Sequence, residues 1–347
     1  MRKQYLDELG VSAFCESMAM MVRSGIQTDE AIALLQSGNR NGGVLEEALR
    51  VMKPLVEQGS SLADAMKSAD CFPDYAVRMI SAGESSGRLE NVLFGLARYY
   101  ADQKTISEKL RGAVTYPAAM LVLIIAVLSV MLTIVLPAFR AVYDRLTGSL
   151  AASSYAYIRW AGVFCTVALV VMALLALVLL VGLLLWKNGR RSVVLGWLDR
   201  FPRCRSILKT SALFRFTSAL GTYLSSGEMQ DEAVLASIPM AGDEGLEEKL
   251  RSLAGRMEEG HSIAQAAYDE ELFEPVYGRM LLAGERSGSL EQVLERLSGL
   301  LKEDVGHRVD RLVEIVSPVL SGVLMVTIGL TLISVMLPLI GMMNAIG

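Results

Sequence analysis

Histidine is almost missing from this sequence: His261 and His307 are the only two in 347 residues. That leaves little for histidine-based catalysis or a histidine-rich metal centre. The four cysteines, Cys15, Cys71, Cys165 and Cys204, lie far apart and form no C-x-x-C pair. Such spacing excludes a zinc ribbon and a disulfide framework. No Gly-Lys dipeptide occurs, so the usual Walker A phosphate loop is absent and ATP is not hydrolysed by that route. An excess of positive charge is lacking too. The 33 Lys and Arg face 37 Asp and Glu, a net charge of −4, which is unlike a globally basic nucleic-acid binder. What is abundant is apolar: 52% of residues are hydrophobic against 20% charged, which excludes a disordered chain.

The apolar residues are concentrated in three stretches without charge or histidine: 28 residues from Gly112 to Phe139, 27 from Trp160 to Trp186 and 33 from Ile315 to Gly347. Each exceeds the roughly 20 residues that cross a hydrocarbon core. Within them we expect spans over about 117–136, 162–185 and 318–338. In lipid the backbone must satisfy its own hydrogen bonds, so the spans are expected to be helices. Arg2, Lys3, Asp7, Glu8 and Glu16 interrupt any apolar core at the start, unlike a signal peptide. Fourteen Lys and Arg flank the three stretches on one side. Arg140, Arg145 and Arg159 lie in the loop on the other. The positive-inside rule then places the N-terminus in the cytoplasm and the C-terminus outside it.

The chain also repeats itself. MISAGESSGRLENVL at 79–93 returns as MLLAGERSGSLEQVL at 280–294, a shift of 201 residues. In the same register Gly59 and Ser61 match Gly260 and Ser262, Phe72 matches Phe273, and Pro117 matches Pro318. Upstream the shift becomes 202: Ser24-Gly25 matches Ser226-Gly227. The unit occurs at 14–137 and 216–338, and the middle stretch has no counterpart. That middle crossing returns the chain to the cytoplasm, so the repeat is parallel rather than inverted.

The repeated parts read as helical. Phe14, Met18, Met21 and Val22 recur at spacings of three and four. Ser61 to Asp64 and Ser262 to Gln265 have the form of capping boxes. Gly25 and Gly227 stand where a helix would stop. No sustained two-residue alternation is present. We therefore expect an all-α protein with three transmembrane helices and two repeated cytoplasmic helical bundles. The expected order is a short N-terminal segment (1–13), a first bundle (14–111), a first transmembrane helix (112–139) and an extracytoplasmic loop (140–160). A second transmembrane helix (161–186), a second bundle with a basic linker (187–314), and a third transmembrane helix with a short outer tail (315–347) follow. No clear breaker separates Leu89 from Pro117, so the last helix of each bundle is expected to run on into its span.

Gly83 to Gly87 matches the G-x-S-x-G pattern of a serine-hydrolase elbow. An amphipathic helical stretch precedes it where the elbow needs a strand. The second copy places Arg286 where the nucleophile would stand. The expectation is a tight helix-to-helix turn, in which glycine lets two helices approach closely. Gly83, Glu84, Ser86, Gly87 and Leu89, with Gly284, Glu285, Ser287, Gly288 and Leu290, are the candidate turn and partner-docking motif. Pro117 and Pro318 mark the entries to two spans. No catalytic, cofactor-binding or metal-ligating residue is expected. The spans carry no charge, unlike most ion-coupled transporters.

The paired A-G-E-x-S-G-x-L signatures, Ala82 to Leu89 and Ala283 to Leu290, lie beside matching Tyr116-Pro117 and Ser317-Pro318 entries. In these features the chain resembles the platform proteins of type II secretion and type IV pilus assembly, the GspF/PilC family, from about Phe14 to Met343. The resemblance implies two cytoplasmic bundles of about six helices each, no enzyme activity and no cofactor. It implies self-association in the inner membrane and a hexameric ATPase beneath the platform. Pilin-like or pseudopilin subunits and other inner-membrane assembly proteins are the further partners it implies, with no nucleic acid. About 13 residues precede the first bundle, where a longer segment is common in that family. A membrane scaffold, or a small-solute transporter built from a parallel repeat, is the alternative reading.

Overall fold

The computed structural model describes residues 5–38, 43–135, 137–138, 163, 166–177 and 202–346. Every regular element among them is helical. The first repeat runs α1 (Glu8–Arg23), α2 (Thr28–Gly38), α3 (Val44–Glu57), α4 (Leu62–Ala69), α5 (Asp74–Ser86) and α6 (Leu89–Val130, continued by a π-helical turn, Met131–Val135). A short apolar helix, α7 (Thr166–Leu177), follows. The second repeat runs α8 (Pro202–Ser225), α9 (Gln230–Ala241), α10 (Glu244–Glu258), α11 (Ile263–Asp269), α12 (Pro275–Arg286) and α13 (Leu290–Ile346). Helix for helix, α1–α6 correspond to α8–α13.

Helix ends follow the local sequence. Asp7 caps α1 by accepting from the Gly10 amide at 3.0 Å, and Asp243 caps α10 by accepting from Leu246 N–H at 2.8 Å. Gly25 and Gly227 stop α1 and α8 with left-handed backbones, φ 81° and 90°. The capping boxes are only half made. Ser61 and Ser262 accept from the amides of Asp64 and Gln265, at 3.0 and 3.3 Å. The reciprocal bond is missing: Asp64 instead accepts from the Ser61 hydroxyl, and the Gln265 amide donates to Asp269. The amides left over at these helix starts are taken by a carboxylate from another helix.

The chain forms two compact units, Met1–Glu108 with Ser206–His307, and Lys109–Arg205 with Arg308–Gly347. The first unit gathers α1–α5 and the start of α6 together with most of α8, α9–α12 and the start of α13. Each repeat has its own apolar interior. In the first, Phe14 packs at 5.0 Å against the tilted ring of Phe72, and Met18, Leu49, Met52, Leu62 and Met79 are closed from solvent. Phe216, Leu250, Leu253, Ile263 and Leu294 do the same in the second. Burial alone pushes the Cys15 thiol up to about 12, so it is an inert part of this core.

The two repeats are joined by their own shared core. Tyr75 of α5 and Tyr99 and Tyr100 of α6 are buried, and the Tyr75 ring packs edge-on against Tyr223 of α8 at 5.9 Å. Desolvation raises the phenol of each above its ordinary range. Gly95 of α6 faces Thr222 of α8 so closely that a Cβ there would lie 2.8 Å from Thr222 Cγ2. Arg215 of α8 donates from Nε to the carbonyls of Met240 and Ala241 at 3.1 Å, closing the C-terminus of α9. Two ion pairs run from α6 to α13 here: Arg98 with Glu295, and Asp102 with Lys302 at 2.7 Å. Arg98–Glu295 is exposed and Asp102–Lys302 half-buried; an exposed pair contributes about 0–1 kcal/mol, against about 1.5–3 kcal/mol for each large buried side chain. Apolar burial therefore holds the repeats together.

The second unit is built from apolar helices. Leu121, Ile124 and Leu128 of α6, Met172 of α7 and Leu320 of α13 form its core. The hydroxyls of Ser129 and Thr133 donate to carbonyls one turn back, so they need no other partner. Large apolar side chains face outward on all three helices, among them Val122 and Ile134 on α6, Val167 and Leu174 on α7, and Met325 and Ile333 on α13. Such a surface marks contact with lipid or protein.

One helix among the described residues, Leu89–Val135, is long and apolar enough to cross a membrane by length and composition. The expected second span overlaps α7. Apart from residue 163, the rest of that span, the 140–160 loop and the basic linker up to 201 lie outside the described residues. The third charge-free stretch is the C-terminal part of α13, which runs unbroken from the first unit into the second.

Candidate functional site

The two A-G-E-x-S-G-x-L motifs form two turns of the same construction. In the first, α5 ends at Ser86. The Gly87 amide bonds to the Glu84 carbonyl at 3.3 Å, and the Arg88 amide bonds to the Gly83 carbonyl at 2.9 Å. In the second, Gly288 bonds back to Glu285 at 3.1 Å and Ser289 to Gly284 at 2.8 Å. This pair of bonds is a Schellman ending. It requires a left-handed residue, and Gly87 and Gly288 supply it at φ 70° and 71°. The hydroxyls of Ser86 and Ser287 donate to the carbonyls of Gly83 and Gly284.

The other glycine of each motif is there for space. A Cβ on Gly83 would lie 2.8 Å from Val92 Cγ2, and one on Gly284 would lie 2.4 Å from Val293 Cγ2. Val92 and Val293 are themselves one repeat apart. Glycine thus lets α5 cross α6, and α12 cross α13, at close range.

The glutamate reaches across to the preceding short helix. Glu84 accepts from the amides of Leu62 and Ala63 at 2.6 and 3.1 Å, and Glu285 accepts from the Ala264 amide at 3.3 Å and from the Ser262 hydroxyl. Each carboxylate sits on the N-terminus of α4 or α11, where free amides and the helix dipole favour negative charge. This completes the capping that Asp64 and Gln265 leave half made. The motif is an intrachain clamp: one residue for the turn, one for the crossing, one to tie the next helix in.

What remains on the surface is narrower than the whole motif. Ser85 and Ser86 are exposed in the first turn, and Arg286 and Ser287 in the second. Leu89 is half-buried and Leu290 is buried as each following helix begins. The second turn borders an open cleft of about 320 Å³ lined by Leu224, Gln230, Glu285, Ser289 and Gln292. At the first turn Arg88 reaches over Gly227 of the other repeat, its guanidinium 3.3 Å from where a Cβ would be. A helix, not a strand, precedes Ser85, and its hydroxyl donates to the carbonyls of Ser81 and Ala82. His261, in the connection between α10 and α11, and His307, on α13, are both exposed. Pro117 is buried inside α6, and Pro318 is exposed inside α13.

The residues that join the repeats were not singled out by sequence reasoning. Gly95 carried the best signal, as a glycine in a helix interior costs roughly 0.5–1 kcal/mol relative to alanine and so needs a reason. The tyrosines at 75, 99, 100 and 223 have no aromatic counterparts one repeat away. Nothing in one sequence pairs them.

The family described as "Type II secretion system (T2SS), protein F" matches residues 14–137 and again 216–338, the two halves of the repeat. The chain is 26% identical to the type IV pilus assembly protein PilC of Myxococcus xanthus, across 97% of this chain and 81% of that protein. It is 24% identical to the PilC of Pseudomonas aeruginosa, across 98% and 91%. It is also 26% identical to the type II secretion system protein F of Xanthomonas campestris, across 100% and 86%. With its tandem helical units matched twice and its relatives aligned nearly end to end, the chain belongs to the type II secretion system protein F family, which includes the PilC proteins of type IV pilus assembly.

Proposed function

We propose that this chain is the inner-membrane platform of a type II secretion, type IV pilus or competence-pseudopilus machine. In this reading it couples a cytoplasmic hexameric ATPase to the assembly of pilin-like subunits and has no enzymatic activity of its own. The observation that carries the reading is the double family match, together with relatives named for both kinds of machine that align over nearly the whole chain. The outward apolar side chains of α6, α7 and α13 support a bilayer setting. The proposed topology is three crossings, at 112–139, 161–186 and 315–347, with the N-terminus in the cytoplasm and the C-terminus outside. Two unequal turns facing one ATPase would offer it two different contacts. Because Gly83, Glu84, Gly284 and Glu285 are used inside the chain, docking falls to the exposed edges Ser85–Ser86 and Arg286–Ser287. These differ in charge at Ser85 and Arg286.

The test is affinity purification of the tagged full chain from mildly solubilised membranes, with the co-purified proteins identified. A secretion-type ATPase and a pilin-like subunit are expected, and the pilin names the machine. Neither being recovered from an intact complex, with both shown to be expressed, would overturn the platform reading. Arg286→Glu and Ser85→Glu, which leave the backbone bonds of the two glycine turns in place, should weaken ATPase recovery to different extents. Equal loss from both would argue against unequal roles.

A further inference from the structure

The two glycine turns differ in the positive charge beside them. At the first, Arg23, the last residue of α1, reaches Glu90 in the opening turn of α6, with Nε 3.8 Å from Oε1. Its guanidinium lies over the Phe94 ring, 5.9 Å from the centroid. Arg88 belongs to the same turn. At the second turn the glutamate is kept, as Glu291, but both arginines are gone. Ser225 is the counterpart of Arg23, and Ser289 that of Arg88. The Ser225 hydroxyl is used locally, on the Thr222 carbonyl, and that of Ser289 meets Ser287. Exposed Glu291 has no hydrogen bond or ion pair among the described residues. It stands in the wall of the open cleft of about 320 Å³, with Ser289 and with Leu224, the residue before Ser225.

We propose that this cleft binds an arginine side chain presented by a separate protein. That arginine supplies to Glu291 the guanidinium that Arg23 supplies to Glu90 inside the first repeat. The proposal deepens the platform reading, and rests on it for the presence of a cytoplasmic partner. It names the side chain that the partner brings and the cleft that receives it.

The precedent lies in the chain itself, where the equivalent carboxylate already holds a guanidinium. The lining suits the same group. A carboxylate takes two guanidinium donors side by side, and the amides of Gln230 and Gln292, unpartnered among the described residues, offer further acceptors. A lysine ammonium is a point charge and would match this set less well. Leu224, nearly closed from solvent, gives the arginine stem an apolar contact. The volume is at the lower end of the range for small-molecule pockets, about 300–1,000 Å³, which suits one side chain rather than a cofactor. Long-range charge acts in the same direction. The unit Met1–Glu108 with Ser206–His307 carries 33 Asp and Glu against 20 Lys and Arg, so it attracts a basic surface. Three local features bear on the fit. The α13 N-terminus disfavours a cation, as the α6 N-terminus does for Arg23, and a first-turn glutamate offsets this in both repeats. Arg286 stands on the neighbouring turn but is not part of the cleft wall. Glu285 is in the wall but is committed to the start of α11, which leaves Glu291 as the free carboxylate.

The test places the photo-cross-linking residue p-benzoylphenylalanine at Met229, 68% exposed and next to Gln230, in the full-length chain in its own membranes. The captured peptide is then sequenced. One segment of a separate protein, containing an arginine, is expected. The same probe at Gln27, the counterpart of Met229, should not capture it, because Arg23 already serves Glu90. Ser225→Arg restores the internal guanidinium and should cut capture by roughly ten-fold, as should Glu291→Arg, while the melting temperature in detergent stays within experimental error. Glu291→Gln, which adds no repulsion, should give a smaller loss and guards against a misfolded variant. Changing the captured arginine to glutamate should abolish capture, and combining that change with Glu291→Arg should restore it. Capture of the chain's own residues 187–201, of a segment without arginine, or of nothing would overturn the proposal. So would capture that Ser225→Arg and Glu291→Arg leave unchanged. The platform reading fails separately. An arginine captured from a protein outside any secretion or pilus machine would support the cleft and count against that reading. Full recovery of ATPase and pilin with no effect of Ser225→Arg on capture would overturn the cleft alone.

Discussion

At the scale of single residues, the repeated glutamate is the clearest case of a conspicuous motif residue used internally. Glu84 takes two amides at the start of α4, and Glu285 takes an amide and a hydroxyl at α11. Removing such a cap leaves partly buried donors unmet and costs about 1–2 kcal/mol. Glu84→Ala and Glu285→Ala should each lower the melting temperature of the full chain in detergent. Ser85→Ala, on the open side of the same turn, should leave it within experimental error. Glu270 makes a second residue-scale prediction. The hydrogen bond from Ser252 at 2.9 Å, and the Arg256 guanidinium at 2.6 Å, hold its carboxyl below the ordinary carboxylate range. A depressed folded value stabilises the protein above the unfolded value of about 4.3, and that contribution is lost as pH falls through the folded one. Glu270→Gln should therefore melt earlier than the parent at pH 7, with the gap closing below about pH 4. A gap independent of pH would assign the loss to packing instead.

At the scale of elements, the α6–α8 crossing decides whether the two repeats act as one body. Gly95→Ala gains a little helix propensity, roughly 0.5–1 kcal/mol, but places a methyl 2.8 Å from Thr222 Cγ2. Overpacking of this kind costs about 1–3 kcal/mol, so the clash outweighs the propensity. Gly95→Ala should destabilise the chain in thermal or denaturant unfolding. Thr222→Ser removes the clashing methyl while keeping the hydroxyl, which donates to the Ser218 carbonyl at 2.8 Å. The double variant should recover most of the loss. Failure to recover would mean that backbone, not the methyl, limits the approach. Much at this scale was legible in the residues themselves. The glycine stops at Gly25 and Gly227, the continuous α6 and α13 and the helical turn at Gly87 all appear where local chemistry put them. The capping boxes were legible only in part. Their serine half is local, whereas the carboxylate that completes them arrives from about 21 residues further along.

At the scale of the whole molecule, the topology proposed above puts both repeats on the cytoplasmic side of a bilayer. Alkaline phosphatase fused after residue 148 or after Gly347 should be active, and fused after residue 200 it should be inactive. Green fluorescent protein fused at the same three places should show the opposite pattern. An active phosphatase at residue 200 would remove the middle crossing and with it the parallel placement of the repeats.

By itself the sequence determined what depends on residue type and short spacing. That covers the helical class, charge-free stretches long enough for a bilayer, a repeat with a shift of 201, and the family. Only the tertiary structure decided what each repeated residue does. Gly83, Glu84 and their counterparts look alike whether they meet a partner or their own chain. The distinction lies in distances to Val92, Leu62 and Ala63 that no spacing rule contains. Likewise two repeats of one pattern look equivalent in sequence. The fold makes them unequal by burying Tyr75 and Thr222 while leaving Val276 and Met20 in the open. Hydrophobicity is a property of the residue, but burial is a property of what lies opposite it, and that is settled only when distant segments meet.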